Sequence, residues 1–303
     1  MPFGSSQVRS SRPSPTPVIK HKAGLMEINL AWEPLDWAIP LDHYRVEGRS
    51  KGHGWKLLKK TIFPVFNHNR LRPEGEEWLY RIRTVDAAGN ISRPSRPVRA
   101  KSLRSVATGV PIVKAGHFDR QSVGLQFAPK DYKKIPVAFP DGKITVSGAN
   151  PDIPYLLPGP GDSWAGGKCY SLTWDFNFSK ASIRTSRTKI YLALWFIDTT
   201  KLGGLLNVEL GGFGKTLEIP KGETAGSKRG DARRDDGALK PGCWELEVPI
   251  ADLREGRNRL TLTLRQGGWI AWDAMGLFAT EIQGQSHDLP TSTADLVERS
   301  SAV

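Results

Sequence analysis

Apolar residues recur at every second position over much of this chain, in short bursts separated by turn-forming residues. Met26, Ile28, Leu30 and Trp32 alternate with Glu27, Asn29 and Ala31, and Pro34 closes the run. Successive side chains of a strand point to opposite faces, so this pattern predicts a strand with one buried side. Tyr44-Arg-Val-Glu predicts a second strand, and a hydrophobic patch surrounds Trp55, Leu57 and Leu58. Trp78, Tyr80 and Ile82 share one side of a later strand, which runs into Asp86-Ala-Ala-Gly-Asn. That is a turn signal, because Gly and Asn tolerate the left-handed backbone such turns require.

The alternation is strongest further along. Tyr170, Leu172, Trp174, Phe176 and Phe178 all fall on even positions, with Ser171, Thr173, Asp175 and Asn177 between them. Ile190-Tyr-Leu-Ala-Leu-Trp-Phe-Ile is apolar on both sides. A buried helix would fit its length, but its aromatic and branched residues favour a central strand. Leu206, Val208 and Leu210 continue the pattern, as do Trp244, Leu246 and Val248, then Leu260, Leu262 and Leu264, and finally Ala274, Gly276 and Phe278. Many strands and no convincing amphipathic helix predict an all-β chain of packed antiparallel sheets.

Composition agrees: 303 residues, 39% hydrophobic and 24% charged, with Gly 31 and Pro 22, describe a turn-rich chain long enough for two domains. The expected organisation is a flexible Ser/Pro-rich segment over 1–16, a first sandwich over 17–102 and a linker over 103–116 holding Gly109 and Pro111. A larger sandwich over 117–282 follows, then a polar tail over 283–303. The formal net charge of +12 favours polyanions of any kind without choosing among them. No recognition-helix pattern and no aromatic platform interleaved with Arg or Lys accompanies it, so nucleic acid is not the expected partner. Cys169 and Cys243 lie outside any metal-ligand spacing and either pair or stay as thiols. No apolar run is long enough to span a bilayer. The start, Met1-Pro-Phe-Gly-Ser-Ser, does not read as a signal peptide.

Three features in order, Trp32, Tyr44 and Tyr80-Arg-Ile-Arg-Thr-Val-Asp-Ala-Ala-Gly-Asn-Ile-Ser-Arg-Pro-Ser, resemble a fibronectin type III domain. In that immunoglobulin-like fold the early Trp and late Tyr are core and corner residues. Four later signals resemble the C-terminal jelly-roll domain of rhamnogalacturonan lyases and related bacterial polysaccharide lyases. They are Leu157-Pro-Gly-Pro-Gly-Asp-Ser-Trp-Ala-Gly-Gly, the aromatic strand after it, Leu253-Arg-Glu-Gly-Arg-Asn-Arg-Leu-Thr-Leu, and Gly267-Gly-Trp-Ile-Ala-Trp-Asp-Ala-Met-Gly-Leu. Where that family carries Tyr-Asp, this chain has Trp272-Asp273. The family's large catalytic domain has no counterpart in the sequence ahead of the first sandwich. The resemblance therefore implies a noncatalytic, carbohydrate-binding accessory module, extracellular or periplasmic, for an acidic polysaccharide such as rhamnogalacturonan. Two alternatives stand beside it: a structural module that docks a separate catalytic lyase subunit, and a lyase lacking its catalytic domain.

Sugar recognition needs flat apolar faces with polar groups nearby. Trp164 and Trp269, in glycine-rich surroundings, either meet a sugar from exposed loops or pack down as plugs over the core. Trp272 joins this candidate set, while Trp174, Trp195 and Trp244 belong to strand patterns. Asp162 and Asp273 would accept hydroxyl hydrogen bonds or help hold a structural calcium ion, which many carbohydrate-binding jelly rolls possess; turn capping also explains each of them. Lys228, Arg229, Arg233 and Arg234 would attract a uronate, although Asp231, Asp235 and Asp236 weaken that field. The six histidines form no ligand-like or nucleophile-like grouping, and no catalytic residue is assigned.

Overall fold

Alternating burial along the backbone turns these patterns into two stacks of sheets. The structure, a computed structural model, describes residues 18–35, 41–122, 124–128, 130–223 and 239–281. The chain divides into two compact units, Met1–Ser105 and Val106–Val303.

Unit 1 contains β1 (Lys20–Gly24), β2 (Glu27–Ala31), β3 (Leu41–Ser50), β4 (Lys56–Thr61), β5 (Val65–His68), β6 (Glu77–Asp86) and β7 (Val98–Lys101). They form one sheet in the order β1-β2-β5 and another in the order β4-β3-β6-β7, with every pairing antiparallel. This is the immunoglobulin-like sandwich of the fibronectin type III class. Ile28, Leu30 and Trp32 face Tyr44, Val46, Tyr80 and Ile82 across its core. Trp32 and Tyr44 meet edge to face at 5.3 Å, a geometry that aromatic quadrupoles favour. The turn after β6 closes as its residues require: Asp86 Oδ1 accepts from the amides of Ala88 and Asn90.

Unit 2 is a jelly-roll β-sandwich. It contains β8 (Pro111–Gly116), β9 (Lys143–Ser147), β10 (Leu156–Pro158), β11 (Ser171–Phe178), β12 (Thr188–Thr199), β13 (Gly204–Leu210), β14 (Phe213–Ile219), β15 (Gly242–Val248), β16 (Gly256–Gly267) and β17 (Trp269–Glu281). One sheet runs β10-β17-β12-β15, with β8 also against β17; the other runs β14-β13-β16-β11-β9. Only the β9–β11 pairing is parallel among the described strands. Leu172, Trp174, Phe176 and Phe178 of β11 press inward at 2% exposure or less. Burying one such side chain stabilises the fold by about 1.5–3 kcal/mol.

Two expectations change. Residues 111–116, read as linker, pair antiparallel with β17 and so belong to the second sandwich. The last strand begins at Trp269 rather than after a loop. Strand β12 is buried on both sides because Phe118 covers the outer one, packing at 5.2 Å on Trp195 and 5.5 Å from Phe278. Among the described residues no helix is long and apolar enough to cross a membrane.

Candidate functional site

The residues expected to meet a sugar separate in space. Trp269 (2% exposed) and Trp272 (0%) lie inside β17, a strand paired along both edges, and both rings belong to the core of unit 2. The plug reading is therefore the one realised for Trp269. Asp273 is buried as well, and its Oδ1 accepts from the Arg120 amide at 2.9 Å. Burial pushes its carboxyl well above the usual carboxylate range; the Arg120 amide opposes this, and nearby Asp119 adds to the rise. None of these three presents a surface to a glycan.

Trp164 is half-buried, packs against the same core, and meets Tyr132 edge to face at 4.9 Å. Its glycine-rich loop is tied to the turn before β17, since the amides of Gly159 and Gly161 donate to the carbonyls of Gly268 and Gly267 at 2.5 and 2.8 Å. Asp162 belongs to this loop and lies close enough to Gly268 that a Cβ there would be 3.0 Å from Oδ2. Burial raises this carboxyl too, against a hydrogen bond from Trp164 that lowers it. Asp162 and Asp273 have separate neighbours, and among the described residues no three His, Cys, Asp or Glu side chains gather. Calcium takes six to eight oxygens, so these two acids do not fit it as a joint site. Lys228, Arg229, Arg233 and Arg234 lie outside the described residues. No disulfide joins Cys169 and Cys243.

A different place gathers charge. The turn entering β16 is clamped by Asn258, whose Oδ1 accepts from the Arg254 amide at 2.9 Å while Nδ2 donates to the carbonyls of Arg254 and Gly256 at 2.7 and 3.0 Å. Gly256 supplies the left-handed backbone, at φ 83°. Beyond this turn the strand alternates, so Arg257 and Arg259 project outward while Leu260 enters the core. Register places Arg259 opposite Asp175 of β11. Arg259 grips that carboxylate at both oxygens, Nε–Oδ1 at 2.7 Å and Nη2–Oδ2 at 2.9 Å, and Arg257 Nη2 adds a bond to Oδ2 at 2.8 Å. Hydrogen bonds from Arg259, then from Arg257, hold Asp175 well below the usual carboxylate range.

Arg254, Arg257 and Arg259 with Asp175, Asn258 and Gly211 line a cleft of about 440 Å³. Two guanidiniums, those of Arg257 and Arg259, meet one carboxylate there, and Arg254 lines the same cleft, which leaves an excess of positive charge. A guanidinium has five donors in a planar fork, so donors remain for a further anion after Asp175 is served. The cleft opens onto the outward face of the same sheet. Thr145, Thr173, Thr261 and Glu209 form one row across it by register, and Lys143, Ser171, Thr263 and Asn207 form the next. This hydroxyl- and amide-bearing platform adjoins the arginines.

The sequence pattern takes Leu253-Arg-Glu-Gly-Arg-Asn-Arg-Leu-Thr-Leu as a mark of the jelly-roll resemblance; Gly256 and Asn258 make a tight turn there. It missed the arginines interleaved with them. The available signal was their alternation, Arg257 and Arg259 on the polar side of a strand whose Leu260, Leu262 and Leu264 face inward.

No family model matches the chain, and no curated protein matches it. Solved structures similar to parts of it include the twitchin kinase region from C. elegans, at 24% identity over 31% of this chain and TM-score 0.26. The chain spans 17% of that protein's length. The sixth fibronectin type III domain from human fibronectin type III domain containing protein 3 is 16% identical over 32% of this chain and 92% of its own, with TM-score 0.27. A family 35 carbohydrate binding module from an environmental isolate is 14% identical over 37% of this chain and 70% of its own, with TM-score 0.26. Likenesses this distant bear on neither activity nor ligand.

Proposed function

We propose that this chain is a noncatalytic carbohydrate-binding protein whose second unit takes the carboxylates of an acidic polysaccharide such as rhamnogalacturonan, as an accessory of a polysaccharide lyase-like system. The observation that carries this reading is the cleft of Arg254, Arg257 and Arg259 around Asp175. Guanidinium forks match carboxylates through paired, charge-assisted hydrogen bonds. The neighbouring rows of Thr, Ser and Asn offer donors and acceptors to sugar hydroxyls at the cross-strand spacing of about 4.8 Å. Asp175 itself is poorly suited to acid or base chemistry. Its depressed pKa leaves no proton to donate near neutrality, and both oxygens are occupied by arginine.

Titration of the full chain with rhamnogalacturonan, homogalacturonan and a neutral glycan tests this. The two acidic polymers bind saturably and lose affinity with added salt, the neutral one does not bind, and Arg257→Glu with Arg259→Glu weakens binding at least ~10-fold when measured on the folded fraction, at a melting temperature lowered by loss of the fork to Asp175. Equal binding of the neutral glycan, or undiminished binding by the folded variant, overturns the proposal.

A further inference from the structure

Unit 1 carries a charged surface that the cleft of unit 2 does not explain. In the sheet β4-β3-β6-β7, one face is the core of Tyr44, Val46, Tyr80 and Ile82. On the opposite face, register aligns Lys60 with Arg45 and Arg83, Leu57 with Glu47 and Arg81, and Arg49 with Leu79 and Arg99. Among the described residues of these strands, Glu47 and Glu77, the latter paired with Arg99 at 3.6 Å, are the acids on this face, against a row of arginines on three neighbouring strands.

Glu47 is buried to 8% exposure and organises the centre. Its Oε2 takes Arg81 Nε at 2.6 Å and Arg83 Nε at 3.4 Å, with Arg45 Nε 4.0 Å from Oε1. Arg45 Nε is buried and lacks a hydrogen-bond partner. One carboxylate thus draws in three guanidiniums, of which Arg83 also donates to the Ser92 carbonyl at 3.2 Å. Trp55 fixes two from the side, with Arg81 Cζ 4.2 Å and Arg49 Cζ 5.0 Å from its ring. Such cation–π contacts hold a guanidinium plane in place while leaving its N–H groups free to donate.

The geometry points to a second anion site on this outward face, which takes an extended polyuronate chain through Arg45, Arg49, Arg81, Arg83 and Arg99. A flat sheet repeats its side chains at about 4.8 Å between strands and roughly 6.7 Å along them, which suits a linear polymer with a carboxylate on each sugar. The way three arginines already converge on Glu47 is the carboxylate recognition such a chain would extend. Nucleic acid fits less well. Among the described residues, the indole on this face, Trp55, is occupied by Arg49 and Arg81 instead of offering a free ring to bases, and the face is a sheet without a described helix to enter a groove.

This surface is independent of the cleft, so each can fail alone. The test uses the full chain carrying Arg49→Glu, Lys60→Glu and Arg99→Glu, all exposed positions. Its probes are long homogalacturonan, a short oligogalacturonate, and single-stranded and duplex DNA. Expected are at least ~10-fold weaker binding of the long polymer, unchanged melting temperature, and unchanged binding of the short oligomer at the cleft. The cleft variant Arg257→Glu with Arg259→Glu loses the short oligomer and weakens the long polymer, but retains a residual, salt-sensitive binding of the long polymer that belongs to unit 1. Should charge reversal lower the melting temperature, the glutamine set at the same positions gives the reading. Undiminished long-polymer affinity in a folded variant overturns the inference, as does tighter binding of either DNA than of polyuronate.

Discussion

Asp175 and Arg259 form a two-point fork, each carboxylate oxygen facing one guanidinium nitrogen at 2.7 and 2.9 Å. The arginine hydrogen bonds place the folded pKa of Asp175 below the ordinary carboxylate value of 3.8. The unfolded chain therefore binds this proton first as pH falls. The stability that the fork supplies is fully present above the ordinary value and is lost as pH falls through the folded one. Thermal melts of the protein and Asp175→Asn across pH check this: the gap at neutral pH closes in strong acid. A gap that persists there would refute it.

Asp273 carries the opposite sign. Its folded pKa is raised well above 3.8, chiefly by burial, so the folded state holds the proton more tightly than the unfolded chain does. Stability contributed by the protonated form is complete below the ordinary carboxylate value and declines as pH climbs from there toward the raised one. Asp273→Asn keeps a neutral group of similar shape, so its melting temperature should change less between about pH 4 and pH 7 than that of the parent. Parallel curves for the two proteins would show that this carboxyl is not the source of the slope.

Trp269 and Trp164 should separate stability from recognition. Trp269→Ala empties a site that is 2% exposed and is expected to cost about 3–5 kcal/mol in denaturant unfolding. Trp164→Ala removes a half-buried ring whose partner is Tyr132 and should cost less. Acidic glycan affinity, measured on the folded fraction of either variant, stays at the parent value when the arginine cleft is the binding site. A selective loss of affinity with Trp164→Ala would return the site to the loop.

The layered sheets were legible because alternation is a direct consequence of strand geometry, and Leu172 to Phe178 of β11 show it with little interruption. The cleft was not legible for the same reason turned round. Alternation says that Asp175, Arg257 and Arg259 point outward, but only the register of β11 against β16 says that they face one another. Trp269 misled because the glycines before it suggest an exposed loop. Gly267 and Gly268 instead let the backbone of the 159–161 loop approach and pair with theirs. Residues 111–116 alternate too weakly, between Pro111 and Gly116, to announce a strand whose place is set by pairing with β17.

Gly211 gives the last test, because it joins cleft shape to backbone conformation. It lines the cleft at φ 60°, and a methyl group there would run into the backbone carbonyl of Asp252. Left-handed backbone alone costs a non-glycine residue roughly 1–2 kcal/mol, and the collision adds to this by pushing the turn at Asp252 away. Gly211→Ala should therefore lower the melting temperature and weaken acidic glycan binding together. Gly214→Ala, where a methyl meets open space, should leave both close to the parent values. If Gly211→Ala lost stability but kept full affinity, the cleft wall would be dispensable for recognition, and the arginines alone would account for binding.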